Sequence, residues 1–184
     1  MKYKKLRGIV LKKQNFRETD QIVTLWTQET GKIRVLARSL KKPASKLVYN
    51  LQDLSYVSVE TAGRKNLPVL IGCSTLKSFK DLRNDLNKIG AGFYASELML
   101  KLTADEQPNP AAFNLFVEFL SNLNSQQLIS SQIQAILAKF SLNLVEILGF
   151  KAKTTRELDF YKANELVESL VERNIKSAAF LIKL

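Results

Sequence analysis

Apolar and polar residues alternate in short segments along the first part of the chain, and this pattern predicts β-strands. Five such segments are rich in Ile, Val, Leu and Thr, and turn residues separate them. The predicted strands are Gly8–Lys13, Asp20–Thr27, Lys32–Arg38, Gln52–Glu60 and Leu67–Ser74. Gly31 supplies the positive φ that a tight hairpin between the second and third strands needs. Five short strands at this spacing are typical of a small barrel or sandwich.

Beyond residue 80 the apolar positions recur every three or four residues, which predicts helices. The strongest apolar stripe consists of Ile133, Ile136, Leu137, Phe140, Leu144, Ile147 and Leu148. Asn109 followed by Pro110 is typical of a helix start, and Gly149 stands where a C-terminal cap would be. A last helical stretch is predicted from Asn164 onwards. The pattern therefore predicts an α+β chain, with a β domain over residues 1–80 and an all-α helical domain over residues 81–184.

Charge distinguishes the two predicted domains. The chain holds 28 Lys and Arg against 17 Asp and Glu, a net charge of +11. Residues 1–80 hold 17 of these cations and 5 of the acids, a net charge of +12, and residues 81–184 carry a net charge of −1. So basic a domain favours a polyanionic partner, either nucleic acid or an anionic membrane surface.

The third predicted strand carries cations on the face opposite its alternating apolar residues. The same acid-free run continues through the following loop. Its six cations are Lys32, Arg34, Arg38, Lys41, Lys42 and Lys46. A solvated strand and loop is the simpler interpretation of any single charge here, but six cations without an acid favour an anion-binding surface.

The residue counts exclude several kinds of chemistry. The chain has no His and a single Cys, Cys73. It therefore cannot build a His-based catalytic triad, a His-ligated metal site, an internal disulfide or a Cys-rich zinc site. Glu18 and Asp20 are close in sequence but indicate a turn rather than an acid/base pair. We predict a protein that is not an enzyme, with no catalytic residue, no metal and no cofactor.

The apolar run near the N-terminus is only Ile9 to Leu11, too short for the core of a signal peptide. No stretch approaches the roughly 18 apolar residues that a membrane span needs. We therefore expect a cytoplasmic protein without a membrane partner.

Several short motifs resemble those of one protein family, the bacterial RecO recombination mediators of DNA repair. The specific motifs, all within the first 50 residues, are Arg7-Gly8-Ile9-Val10-Leu11, Glu18-Thr19-Asp20, Val23-Thr24-Leu25, Thr30-Gly31-Lys32, Ala37-Arg38 and Lys46-Leu47. Weaker landmarks follow at Leu51-Gln52, Asn109-Pro110 and Leu148-Gly149-Phe150. The resemblance covers about residues 6 to 150.

The resemblance implies that the β domain is an OB-fold barrel and that the protein is a recombination mediator. Members of the family bind single- and double-stranded DNA and anneal complementary strands. With RecR they assist the loading of RecA onto strands coated by single-strand-binding protein (SSB), whose C-terminal tail docks on the helical domain. The implied partners are therefore both forms of DNA, the SSB tail, RecR and, indirectly, RecA.

The chain departs from the family in two respects. Many members carry a four-Cys zinc site just after the Leu-Gly-aromatic landmark, but no Cys follows Phe150 here. The chain also ends soon after that landmark, so we expect a short form with a reduced C-terminal part. This departure leaves the contact with RecR undecided.

The residues above define a predicted DNA-binding surface on the barrel. Its cations are Arg7, Lys12, Lys13, Arg17, Lys32, Arg34, Arg38, Lys41, Lys42 and Lys46. Phe16 and Tyr56 are candidates for base stacking, whereas a Trp in a strand, such as Trp26, is more typical of the core. Two alternatives stay open at this point: an RNA-binding OB module, and an adaptor whose helical domain binds the acidic SSB tail.

Overall fold

The computed structural model describes residues 2–41, 46–63, 67–125, 127–150, 159–171 and 174–181. The chain divides into two compact units. The first comprises Met1–Ser78 and Ala104–Asn109, and the second comprises Phe79–Thr103 and Pro110–Leu184. The segment Ala104–Asn109 thus belongs with the first unit, although helices flank it in sequence.

The first unit is a closed five-stranded barrel with the strand order β1-β2-β3-β5-β4. The strands are β1 (Lys2–Asn15), β2 (Gln21–Thr27), β3 (Gly31–Ala37), β4 (Tyr56–Gly63) and β5 (Val69–Lys77). A short helix, α1 (Lys46–Asn50), lies between β3 and β4, where the sequence predicted a loop to extend through Lys46. The predicted OB-fold is therefore confirmed.

Strand β1 is longer than predicted because it pairs with two other strands. Its first half pairs antiparallel with β4, from Lys2 to Ile9, and its second half pairs antiparallel with β2, from Gly8 to Asn15. A register shift between Val10 and Lys12 marks a bulge, and bulges let a long strand bend around a barrel. The polar start of β1 has no apolar alternation, so the sequence pattern did not reveal it.

Inward-facing residues from all five strands fill the barrel. The buried core residues are Leu6, Val10, Val23, Leu25, Val35, Ala37, Leu40, Leu51, Val57, Val59 and Leu70. The hairpin between β2 and β3 turns at Gly31, whose φ of 79° confirms the predicted role of this glycine. A Cβ at Gly31 would also clash with the carbonyl oxygen of Gln107, so the close approach of segment 104–109 requires glycine here.

The second unit is helical, as predicted. Its helices are α2 (Lys80–Arg83), α3 (Leu86–Leu102), α4 (Pro110–Ser125), α5 (Ser130–Ile147), α6 (Phe160–Val171) and α7 (Ala178–Leu181). No helix in the described part of the chain is long and apolar enough to cross a membrane.

Local signals explain where α3 and α4 begin and where α5 ends. Helix α4 begins at Pro110 and α5 ends just before Gly149, which has a φ of 83°, and both predicted boundaries are confirmed. The helical spacing of apolar residues from Leu82 to Leu102 predicts one helix, but the structure has two. The Asp85 side chain accepts hydrogen bonds from the N–H groups of Asn87 and Lys88 and so starts α3 anew. The last predicted helix begins earlier than Asn164, at Phe160.

Aromatic packing holds the helical unit together. The Phe140 ring of α5 lies 4.5 Å from Phe119 and 5.9 Å from Phe116 of α4, measured between ring centroids. The Tyr94 ring of α3 meets Phe160 of α6 edge-on at 5.4 Å. The Tyr94 hydroxyl also donates a buried hydrogen bond of 3.0 Å to Asn164, so α3 and α6 share both an apolar and a polar contact.

Glu97 of α3 anchors the C-terminal segment of the helical unit. Its carboxylate accepts hydrogen bonds from the backbone N–H groups of Lys176 and Ser177 and from the Ser177 hydroxyl, and it forms a 2.9 Å ion pair with Lys101. Burial alone would raise the pKa of Glu97, but these bonds outweigh burial and lower the pKa to about 2 from an ordinary value of 4.5.

This lowered pKa predicts an acid-sensitive helical unit. Since the folded state holds the ionised form more tightly, the stabilisation is complete above pH 4.5 and is lost as the pH falls towards 2. The contribution is about 3 kcal/mol. Chemical denaturation between pH 5 and pH 2 should therefore show a loss of stability about 3 kcal/mol larger in the native chain than in Glu97→Gln. Parallel pH profiles for the two proteins would contradict the assignment.

Candidate nucleic-acid interface

Five cations form an exposed surface at one end of the barrel, here called the basic rim. They lie at the end of β1, in the β1–β2 loop, on β3 and in the turn that follows β3. The basic rim consists of Lys12, Arg17, Arg34, Arg38 and Lys41. All five are exposed, and none forms an ion pair within 4.0 Å among the described residues. Their charges are therefore available to an external anion.

Strand register places two of these cations in one row. Lys12 of β1 is paired with Thr24 of β2, and Thr24 is paired with Arg34 of β3. Neighbouring strands lie about 4.8 Å apart, so the Cα atoms of Lys12 and Arg34 are about 10 Å apart across the sheet. Thr24 between them is short and buried. The row therefore presents two long cationic side chains, one on each side of a short, uncharged residue.

A network around Asp20 brings the other three rim cations together. The Asp20 carboxylate accepts the backbone N–H of Ser39 at 2.8 Å, and the Asp20 carbonyl accepts the N–H of Phe16 at 3.1 Å. The Lys41 N–H donates to the carbonyl of Thr19 at 3.1 Å. These bonds join the β1–β2 loop, with Arg17, to the turn that carries Arg38 and Lys41. Asp20 is thus the turn-forming residue that the sequence indicated.

The aromatic candidates differ in exposure. Phe16 is 45% exposed, and the Arg17 guanidinium lies 5.3 Å from the centroid of its ring, so one exposed ring sits beside a rim cation. Tyr56 is half-buried rather than exposed, because it lies in β4 between Ile9 of β1 and Lys77 of β5. Trp26 is buried, as expected of a Trp within a strand.

Two other predicted cations already have partners. Arg7 donates from its side chain to Glu29 at 3.0 Å and from its backbone N–H to the same carboxylate at 2.9 Å, and the bond to Glu29 raises the pKa of Arg7. Lys13 donates to the carbonyl of Leu51 at 3.1 Å and lies 3.4 Å from Asp53. Both therefore hold the barrel's own segments in place.

The expectation that Lys32 is exposed was wrong. Lys32 is only 8% exposed, and its ammonium lies 3.4 Å from the Asp105 carboxylate. The Glu106 N–H also donates to the Lys32 carbonyl at 2.9 Å. Segment 104–109 therefore packs along the start of β3, a contact that the local alternation of β3 does not reveal.

Two predicted cations are not described in full. Lys42 lies outside the described residues, and Lys46 begins α1 but its side chain lies outside them. Within the described ranges, no three residues among His, Cys, Asp and Glu are grouped so that they could hold a metal ion.

Two family models together match most of the chain. The Recombination protein O N-terminal model matches residues 1–79, and the Recombination protein O C-terminal model matches residues 83–174. These ranges correspond closely to the barrel and the helical unit.

Several curated relatives carry the name DNA repair protein RecO. The DNA repair protein RecO of Halalkalibacterium halodurans is 30% identical over 181 residues, which are 98% of this chain and 68% of that protein. The RecO of a Dehalococcoides mccartyi strain is 34% identical over 147 residues, 80% of this chain and 56% of its own length. The RecO of Salinibacter ruber is 35% identical over 145 residues, 78% of this chain and 55% of its own length.

The chain spans little more than half the length of the Dehalococcoides and Salinibacter proteins. The matches nevertheless cover both units, and the match to the Halalkalibacterium protein covers nearly the whole chain. These matches, together with the OB-fold barrel and the helical unit, show that this chain belongs to the RecO family of recombination proteins, which serve DNA repair.

Proposed function

We propose that this chain binds single- and double-stranded DNA along the basic rim, anneals complementary strands and assists RecA loading on SSB-coated DNA. The observation that supports this proposal is the basic rim itself: five exposed cations at one end of an OB-fold barrel, without an ion pair among the described residues. Phe16 beside Arg17 adds an exposed ring that a base can stack on.

Phosphate contact explains binding without sequence readout. Each Lys or Arg that neutralises a phosphate releases condensed counterions, and this gain needs no particular base. Lys12 and Arg34 contact one stretch of backbone across the sheet, and Arg17, Arg38 and Lys41 contact the next. Lys42 and Lys46 stay predicted phosphate contacts, whereas a phosphate reaches Arg7, Lys13 or Lys32 only by replacing a carboxylate.

Annealing follows from the same surface without any bond-breaking step. Two strands repel each other through their phosphates, and a basic surface that holds them lowers this repulsion and raises their effective concentration. No residue has to act as an acid, base or nucleophile. We therefore propose that the chain acts as a mediator and not as an enzyme.

Protein partners are proposed for the helical unit. Leu86 and Ile129 are the most exposed large apolar side chains among the described residues of that unit. A hydrogen bond of 3.1 Å from Asn87 to Ser130 joins the residues next to them in sequence. We place the docking of the SSB tail at this apolar surface, and RecR as a further partner of the chain. A peptide of the SSB tail should bind the chain in a titration. The substitutions Leu86→Asp and Ile129→Asp should weaken this binding.

An annealing assay tests the proposed function directly. Complementary oligonucleotides, one with a fluorophore and the other with a quencher, should pair at least tenfold faster with the chain than without it in 50 mM salt. Matched RNA strands form the second arm of the assay. An unchanged rate of DNA pairing would contradict the proposal, and tighter binding to RNA than to DNA would favour an RNA-binding module.

A further inference from the structure

A second surface of the barrel lies at the other end of β1. It surrounds a shallow cavity of about 160 Å³ on strands β1, β4 and β5. The lining residues are Tyr3, Lys4, Lys5, Glu60, Thr61 and Ile71. We call these six residues the β1-start surface. Lys5 and Lys12 are seven residues apart along β1, about 23 Å at the strand rise per residue, so this surface is separate from the basic rim.

The β1-start surface exposes apolar side chains that the barrel core does not use. Tyr3 is 66% exposed and Ile71 is 52% exposed. Ile71 projects outward because a register shift in the β4–β5 pairing, between Glu60 and Thr61, leaves it as the extra residue of a bulge. Bulges of this kind re-aim side chains and are common near binding sites.

The charges of this surface suit a phosphate. Lys4 and Lys5 are both exposed, and Glu60 is the single acid in the lining. The Lys5 ammonium lies 3.8 Å from Glu60, with 72% and 55% of the two side chains exposed. Such an exposed ion pair contributes little, so a phosphate can replace Glu60 as the partner of Lys5.

The outer face of this surface presents side chains. β1 and β4 pair with each other along its whole length, from Lys2 to Ile9 of β1. A partner that lies across this face is therefore recognised by side chains. An exposed aromatic ring flanked by Lys residues is the arrangement that binds single-stranded nucleic acid by stacking and phosphate contact.

We propose that the β1-start surface binds a second DNA strand, with Tyr3 stacking on a base and Lys4 and Lys5 contacting phosphates. This inference rests on the proposed annealing function, in which the basic rim holds the first strand. Because both surfaces belong to one barrel, a strand on each raises the local concentration of one strand near the other. The chain then anneals as a single molecule with two separate strand sites.

The test uses the full chain and two oligo-dT strands, which cannot pair with each other. One strand carries a donor fluorophore and the other an acceptor, and energy transfer reports a protein that holds both. The native chain should give energy transfer, and the variant Tyr3→Ala, Lys4→Gln, Lys5→Gln should bind the second strand at least tenfold more weakly. Its affinity for the first strand should stay within about twofold, because the basic rim is unchanged.

Two control variants separate stacking and charge from general effects. Tyr3→Phe keeps the ring and should keep energy transfer. Tyr161→Ala, Lys139→Gln, Lys176→Gln removes the same residue types from exposed positions of the helical unit and should also keep energy transfer. Thermal unfolding of each variant checks that the fold is intact.

Three results would overturn the second-strand site. The first is a native chain that holds only one strand, and the second is energy transfer that persists in the β1-start variant. The third is an equal loss of first-strand binding in that variant, which would indicate one continuous DNA path.

If energy transfer persists but the β1-start variant no longer binds a poly-glutamate peptide, the surface binds an acidic protein segment instead. A native chain that gives energy transfer but does not accelerate annealing would contradict the proposed function alone.

Discussion

Replacing Lys12, Arg34, Arg38 and Lys41 together by Glu should lower the affinity for single-stranded DNA at least a hundredfold. A hundredfold is about 2.7 kcal/mol, which four lost phosphate contacts supply at less than 1 kcal/mol each, before the added repulsion is counted. The variant should remain folded, because all four side chains are exposed and none forms an ion pair with a described residue. Fluorescence anisotropy with a labelled oligonucleotide measures the change.

A matched variant controls for net charge. Lys77, Lys80, Lys139 and Lys176 are also exposed, and they lie outside the basic rim. Their joint replacement by Glu changes the net charge by the same amount. It should lower the affinity for single-stranded DNA less than tenfold, against at least a hundredfold for the rim variant. Similar losses in the two variants would mean that total charge, rather than the rim, governs affinity.

Replacing Asp20 by Ala and by Asn should move DNA affinity in opposite directions. Asp20→Ala removes the acceptor that holds the Ser39 N–H and should cost about 1.5–3 kcal/mol of stability, the range for a hydrogen bond to a charged group. With the turn no longer fixed, ordering Arg17 and Arg38 on DNA costs about 1 kcal/mol more, or about fivefold in affinity. This loss exceeds the gain of about twofold from removing the negative charge, so affinity should fall about two- to threefold.

Asp20→Asn keeps an oxygen that accepts the Ser39 N–H but removes a negative charge from beside the rim. DNA affinity should therefore rise, by about twofold at low salt. Comparing the DNA affinities of the two variants separates two roles of Asp20, holding the Ser39 N–H and repelling DNA by its charge. If both variants raised the affinity, Asp20 would only repel DNA and would not organise the rim.

Much of the fold follows from signals that are local in sequence. The β2–β3 hairpin needs a positive φ, and Gly31 provides it. The start of α4 and the end of α5 follow from Pro110 and Gly149, whose conformational preferences act within one turn of a helix. The inner face of β3 follows from strict alternation. Such features depend on few residues, so the sequence predicts them well.

The candidate site was less predictable because its charges depend on distant partners. Lys32 was expected on an exposed face, but its partner Asp105 comes from a segment that follows α3. Arg7 is bound by Glu29, 22 residues further along the chain. Periodicity describes the face on which a side chain lies, but it does not describe which later segment covers that face. Only the tertiary structure distinguishes the rim cations from the paired ones.

The dependence of DNA affinity on salt tests the central claim most directly, because phosphate contact leaves a quantitative signature. The logarithm of the binding constant falls linearly with the logarithm of the salt concentration, by about 0.7 per neutralised phosphate on single strands. Replacing Lys12, Arg34, Arg38 and Lys41 together by Ala should therefore make this slope shallower by about 2.8 relative to the native chain. The same slope in both proteins would show that the rim does not contact the phosphates and would contradict the proposed DNA-binding surface.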